Sequence, residues 1–270
     1  MTAPLITTDL AHGGRWTSLR AGSREWLWHR DEPRRAGAAP GEPFADAGGL
    51  EECVPTVRGV PDHGDAWARP WTRIGEDTDA VVCPDFRLTR RIRRRPGSAV
   101  ADYRLTAAPG YRFLWAAHAL LDVSPAGRIA LAEGTPARLY ADGGAAWAPF
   151  SWPHARAAAG VSAAAPAAVR FDLLGPDDGT ALGAVAHTPE AAVHDGSDTL
   201  RFGLEADDGQ PVSTAVWRNL RGFPEPAPYR SVGVEPMLGR VFDLAAAGEG
   251  DAARVPASGQ ARWRLTVTTS

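Results

Sequence analysis

His118, Glu235 and His63 are the residues of this chain whose types and surroundings could support acid–base chemistry. His118 lies in Phe113-Leu114-Trp115-Ala116-Ala117-His118-Ala119-Leu120-Leu121, an apolar run that predicts a buried strand. Loss of hydration there lowers the pKa of an imidazole unless a carboxylate compensates. Glu235 follows Val232-Gly233-Val234 and precedes Pro236, which sets it at a strand end in an apolar wall. Such a wall raises a carboxyl pKa toward the range that suits a general base near neutral pH. His63 occupies the turn Pro61-Asp62-His63-Gly64. Each residue also has a plainer reading. His118 could be a core histidine bonded to a backbone carbonyl, Glu235 could be paired with Arg230 or Arg240, and His63 could be an ordinary loop residue.

Around these positions lie aromatics. The chain has ten tryptophans, and Trp67, Trp71, Trp115, Trp152 and Trp217 fall near the three segments. Indole faces pack against the C–H faces of sugars, and arginine forks bind hydroxyls or phosphates. Core or loop packing is the competing role for most of these indoles. Asp62, His63 and Asp65 have metal-ligand chemistry but no second cluster to complete a site. His187 and His194, set among Ala, Pro and Asp, read as surface-loop residues. Gly-x-Ser-x-Gly and Gly-x-Gly-x-x-Gly are both absent, so neither a nucleophile elbow nor a dinucleotide fingerprint is present.

Composition narrows the field further. None of the 270 residues is lysine, so all 29 basic residues are arginine, and Schiff-base chemistry and the P-loop lysine are excluded. The net charge of −3 gives no concentrated positive field for nucleic acid. Cys53 and Cys83 are the only cysteines, too few for a disulfide framework or a Cys-rich zinc site. The first fifteen residues lack the pattern of a signal peptide, and no apolar stretch is long enough for a membrane span. A cytoplasmic protein with reduced thiols is expected.

The elements that must position the chemistry read as strands. Pro (23) and Gly (29) are spread throughout and separate short apolar runs, as in a sandwich or barrel. Examples are Trp26-Leu27-Trp28, Ala80-Val81-Val82, Tyr103-Arg104-Leu105, Ala168-Val169-Arg170-Phe171 and Leu200-Arg201-Phe202. The stretch Ala261 to Thr268 alternates polar and apolar, as a strand with one buried face does. Phe86 to Leu105 predicts a hairpin about Pro96-Gly97-Ser98. Its arginines 90, 91, 93, 94 and 95 read as a solvated or edge strand guarded by charge. Glu32 to Gly49 and Ala155 to Ala168 read as loops, and Leu244 to Ala247 as a brief helical turn ended by Gly248. No repeat or composition break divides residues 1–270, so a single all-β domain is expected.

Taken in order, these segments resemble the aldose 1-epimerase (galactose mutarotase-like) family. Gly48-Gly49-Leu50-Glu51-Glu52-Cys53-Val54-Pro55 is similar to its Gly-Gly-x-x-x-x-x-Pro stretch, and Pro61-Asp62-His63-Gly64 with Arg69-Pro70-Trp71 to its His-Gly segment. Leu114-Trp115-Ala116-Ala117-His118 resembles the strand of the catalytic histidine, and Val234-Glu235-Pro236 that of the catalytic glutamate. Gly13 to Leu19 with Arg24 to Trp28, and the Trp263 strand, fit its opening and closing hairpins. The resemblance implies a large antiparallel β-supersandwich and a mechanism without metal or cofactor. It implies Glu235 as base toward the anomeric hydroxyl and His118 as acid toward the ring oxygen. His63, Arg69, Trp115 and Trp217 are then expected to bind a small-molecule sugar. Asp46 and Ala47, not arginine, precede Gly48-Gly49, so a free sugar is expected rather than a phosphorylated one. Asp172, Asp195 and Asp198 are the candidates for a substrate-binding aspartate. A non-catalytic carbohydrate-binding sandwich, and a lyase or other isomerase on the same scaffold, are the alternatives.

Overall fold

Alternation of apolar and polar residues, punctuated by turns, produces a nearly all-strand molecule in the computed structural model. It describes residues 3–141, 146–156, 168–207 and 209–270. Two antiparallel sheets dominate, one of twelve strands and one of eight among the described residues. The middle of the larger sheet runs Leu50–Cys53, Trp115–Leu121, Arg230–Leu238, Val212–Leu220, Ala181–Ala186 and Pro136–Ala141. The smaller sheet centres on Asp198–Ala206, Gln260–Thr269, Ser98–Ala107 and Phe86–Arg95. An apolar cluster drawn from both sheets fills the space between them.

The period-two reading of the C-terminus is realised in Gln260–Thr269, where Ala261, Trp263, Leu265 and Val267 are buried and every residue between them is more exposed. The hairpin forms between Phe86–Arg95 and Ser98–Ala107, closing at Arg95 opposite Ser98. Gly97 supplies the left-handed residue of the turn, with φ of 71°. The loop expected over 32–49 holds one short 3₁₀ turn, Pro33–Gly37. Leu244–Ala246 forms another such turn. The Ala-rich stretch falls mostly on 157–167, outside the described residues.

Two expectations are corrected. Phe86–Arg95 is an interior strand, flanked by Thr78–Val82 and Ser98–Ala107. Its Arg90 is fully buried rather than solvated. The guanidinium reaches across the sandwich, donating to Glu52 at 2.9 Å and to the Gly14 carbonyl at 2.7 Å. Glu52 also accepts from Tyr103 at 2.9 Å and from the Trp115 indole at 2.8 Å. These bonds, with the Asp79 carboxylate 3.5 Å from the guanidinium, offset the cost of burying the charges. The second correction is His194, which belongs to the strand Glu190–Asp195 and meets Thr199 at 3.0 Å.

Candidate active site

Strand parity decides which residues of Trp115–Leu121 face which side. Trp115, Ala117, Ala119 and Leu121 point into the inter-sheet core. His118 and Leu120 point out of the opposite face, into a cleft of about 250 Å³. In Arg230–Leu238 the core takes Val232, Val234 and Leu238, while Glu235 faces the cleft. Ala116 pairs with Met237 and Leu120 with Gly233, so the register sets His118 opposite Glu235. The ladder lapses between those two pairs, and Pro236, which has no N–H, sits in the gap. His118 Nε2 lies 3.9 Å from Glu235 Oε1, with the two side chains 12% and 3% exposed.

Glycines on this face make room for the pair. A Cβ at Gly233 would stand 2.4 Å from Glu235 Oε1 and 3.0 Å from the Trp217 Cβ. The same row crosses the sheet as Leu120, Gly233, Trp217, Gly183 and Tyr140, so the large side chains are separated by glycine. Trp217 and Tyr140 both line the cleft.

His63 arrives from a loop pinned to the start of the sheet. Gly64 approaches Val54 so closely that a Cβ would lie 2.1 Å from the Val54 carbonyl oxygen, and the Asp65 N–H donates to that oxygen at 2.7 Å. His63 itself has φ of 57°, a conformation that costs energy for a side chain with a Cβ and recurs at functional sites. Its Nδ1 is 2.9 Å from Asp62 Oδ1, and its ring stacks on Phe44 at 3.7 Å between centroids. The His63 and His118 rings meet edge to face at 5.1 Å.

Burial sets the electrostatics. It lifts the Glu235 carboxyl above its ordinary 4.5, opposed by His118 and reinforced by the charge of Asp46. It pulls the His118 imidazole below its ordinary 6.5, with the Glu235 carboxylate working the other way. Asp62 is held down at about 2 by His63, against its own partial burial. A carboxylate and an imidazole displaced toward each other in pKa, at contact distance and open to a cleft, can exchange protons with a bound molecule.

Among the sequence-predicted residues, the structure brings Glu235, His118, His63 and Trp217 to one cleft. Trp115 falls on the opposite face of its own strand, fully buried and bonded to Glu52, because odd positions there point into the core. Arg69 is paired with Asp65 at 3.6 Å, away from the cleft lining. Asp172 is bonded to Arg170, Asp195 to Ser124 and Arg24, and Asp198 opens a strand of the smaller sheet; none lines the cleft. Asp46 does so instead. It caps the turn into Gly48-Gly49, accepting from the Gly48 N–H at 3.0 Å, and receives the Tyr229 hydroxyl. The Asp-x-Gly spacing was its one signal in the sequence. Phe44, Tyr140, Phe223 and Phe242 complete the aromatic walls, and Arg58 lies 5.4 Å over the Tyr140 ring. These residues come from loops and a distant strand, which no local pattern connects. No group of three or more His, Cys, Asp or Glu among the described residues could hold a metal ion. No helix among them is long and apolar enough to cross a membrane.

No family model matches the chain, and no curated protein matches it. Solved structures do. The Slr1438 protein from Synechocystis sp. PCC 6803 superposes with a TM-score of 0.68 at 12% identity, over 99% of this chain and 94% of that one. A candidate aldose 1-epimerase from Escherichia coli K12 gives 0.67 at 13% identity, over 99% of each chain. A galactose mutarotase-like protein from Lactobacillus casei gives 0.62 at 13% identity, over 99% of this chain and 100% of that one. Shared from end to end with such proteins, the galactose mutarotase-like fold is the fold of this chain.

Proposed function

We propose that the chain is a mutarotase-type isomerase that interconverts the α and β anomers of a free aldose. The observation that carries this reading is the His118–Glu235 pair, register-fixed, desolvated and 3.9 Å apart at the floor of an aromatic cleft. The hemiacetal carbon of a sugar bears two oxygens, the anomeric hydroxyl and the ring oxygen. An acid and a base standing side by side can serve both at once. Glu235 removes the proton from the anomeric hydroxyl, and the C–O bond to the ring oxygen breaks as His118 protonates that oxygen. An open-chain aldehyde results. Rotation about C1–C2 presents the other carbonyl face. The ring closes with the two proton transfers reversed, leaving Glu235 ionised and His118 protonated as at the start. His63, oriented by Asp62 and stacked on Phe44, binds on the ring-oxygen side, and Trp217 packs against the C–H face of the sugar.

Polarimetry or NMR exchange on a panel of aldoses tests the reading. Glu235→Gln is expected to lower the catalysed rate by about 10²–10⁴-fold, the usual contribution of one acid–base group. Equal rates for the variant and the unmodified protein on every sugar would overturn it. Sugar binding with no mutarotation would favour a carbohydrate-binding role, and an unsaturated, ultraviolet-absorbing product would favour a lyase.

A further inference from the structure

Asp46 has no part in the proton transfers above, yet it is built into the same cleft as Glu235 and His118. It is held from behind. Its Oδ1 accepts from the Gly48 N–H at 3.0 Å, and its Oδ2 accepts from the Tyr229 hydroxyl. Tyr229 is itself fixed, with the Trp28 indole stacked at 5.1 Å and the Arg30 guanidinium 4.6 Å from the ring centroid. An ionised carboxylate offers about four acceptor positions, and these two bonds use one on each oxygen. Free acceptor capacity on a locked carboxylate, in a cleft lined by aromatic rings together with Arg30, Arg34, Arg58 and Glu32, fits the donors a sugar carries. Asp46 lines the same cleft as the acid–base pair, so a ring bound against Glu235 and His118 lies in the same space as this carboxylate.

We propose that Asp46 is a substrate-contacting residue that accepts a hydrogen bond from a sugar hydroxyl and so selects among aldoses by the presence of that hydroxyl. This rests on the mutarotase reading for its substrate class. Tyr229 acts through Asp46 as a positioning residue, because it touches the carboxylate and holds its orientation. A site built to bond a hydroxyl discriminates strongly against the analogue that lacks it, since the acceptor is then left without its partner.

The test is a cycle of sugars against variants, using glucose, galactose and their 2-, 3-, 4- and 6-deoxy analogues. Turnover is followed by NMR exchange, and binding by quenching of tryptophan fluorescence. In the unmodified protein one deoxy analogue is expected to lose about 10–100-fold in kcat/KM against its parent sugar, the range for a hydrogen bond to a charged group. In Asp46→Ala the parent sugar falls by a similar factor, and the same analogue shows no further loss. Tyr229→Phe gives an intermediate loss. The proposal is overturned if Asp46→Ala keeps the full discrimination, or lowers every sugar and analogue equally; the Asp46–Tyr229 bond is then a clasp between loops and nothing more. If the unmodified protein binds sugars but turns none over, the mutarotase reading fails and the same cycle in Kd decides Asp46. If it binds no sugar at all, both fall.

Discussion

Glu235 and His118 are pushed by burial toward each other on the pH scale, and their partnership limits how far each can go. Glu235 must be ionised to take a proton, and His118 must be protonated to give one. The carboxyl pKa lies above 4.5 and the imidazole pKa below 6.5. The doubly competent form is therefore most populated midway between the two apparent pKa values of the pair. A bell-shaped profile of kcat/KM is expected, with one limb from each member of the pair, and replacing either residue should remove a limb. Initial rates measured across a buffer series check this. A profile without either limb would show that the pair does not titrate in the catalysed step.

The strand Arg230–Leu238 works as an element because it satisfies two faces at once. Val232, Val234 and Leu238 anchor it in the core, which leaves Glu235 and Gly233 on the cleft side. Gly233 is the position where a side chain would interfere most directly with the chemistry. The added Cβ of Gly233→Ala would lie 2.4 Å from Glu235 Oε1, so the carboxylate must swing away. Displacement on that scale is expected to lower kcat on the order of 10²-fold, and the 3.0 Å approach to the Trp217 Cβ to lower the melting temperature as well. Steady-state kinetics beside a thermal melt separate the two effects. The neighbouring strand Trp115–Leu121 divides its duties in the same way. Trp115→Ala should cost about 3–5 kcal/mol of stability by leaving a cavity in the core. Because the indole faces away from His118, the activity of the fraction that remains folded should persist. Chemical denaturation, followed by kinetics on the folded variant, tests both halves.

At the scale of the molecule, the two sheets are joined by apolar packing, by the Arg24–Asp195 ion pair and by a buried charged cluster around Arg90. Arg90 comes from the smaller sheet, and Glu52 and Trp115 from the larger. Removing one partner leaves the other charge buried and uncompensated, so Arg90→Ala is expected to destabilise by about 3–5 kcal/mol. Since Glu52 is bonded to both Arg90 and Trp115, the double variant Arg90→Ala/Trp115→Ala should lose less than the two single losses combined. Urea titration of the three variants measures this coupling.

The strand character of the chain, the 86–105 hairpin, the alternating C-terminal strand and the acid–base candidates His118 and Glu235 were all legible in the sequence. Each rests on local chemistry: period-two burial, turn residues, or an ionisable group in an apolar run. What the local pattern could not say is which face of a strand meets the cleft and which loops converge on it. Trp115 and His118 share one apolar run, and only the register and packing of two sheets send the first into the core and the second into the site. An arginine run looks solvated until the partner sheet supplies Glu52. Asp46, Tyr229 and Tyr140 are remote from one another in the chain and become neighbours of the pair only through long-range strand pairing and loop closure. Side-chain type and spacing are written along the polymer, whereas a site is an arrangement across strands, and that arrangement exists only once the sheets have formed.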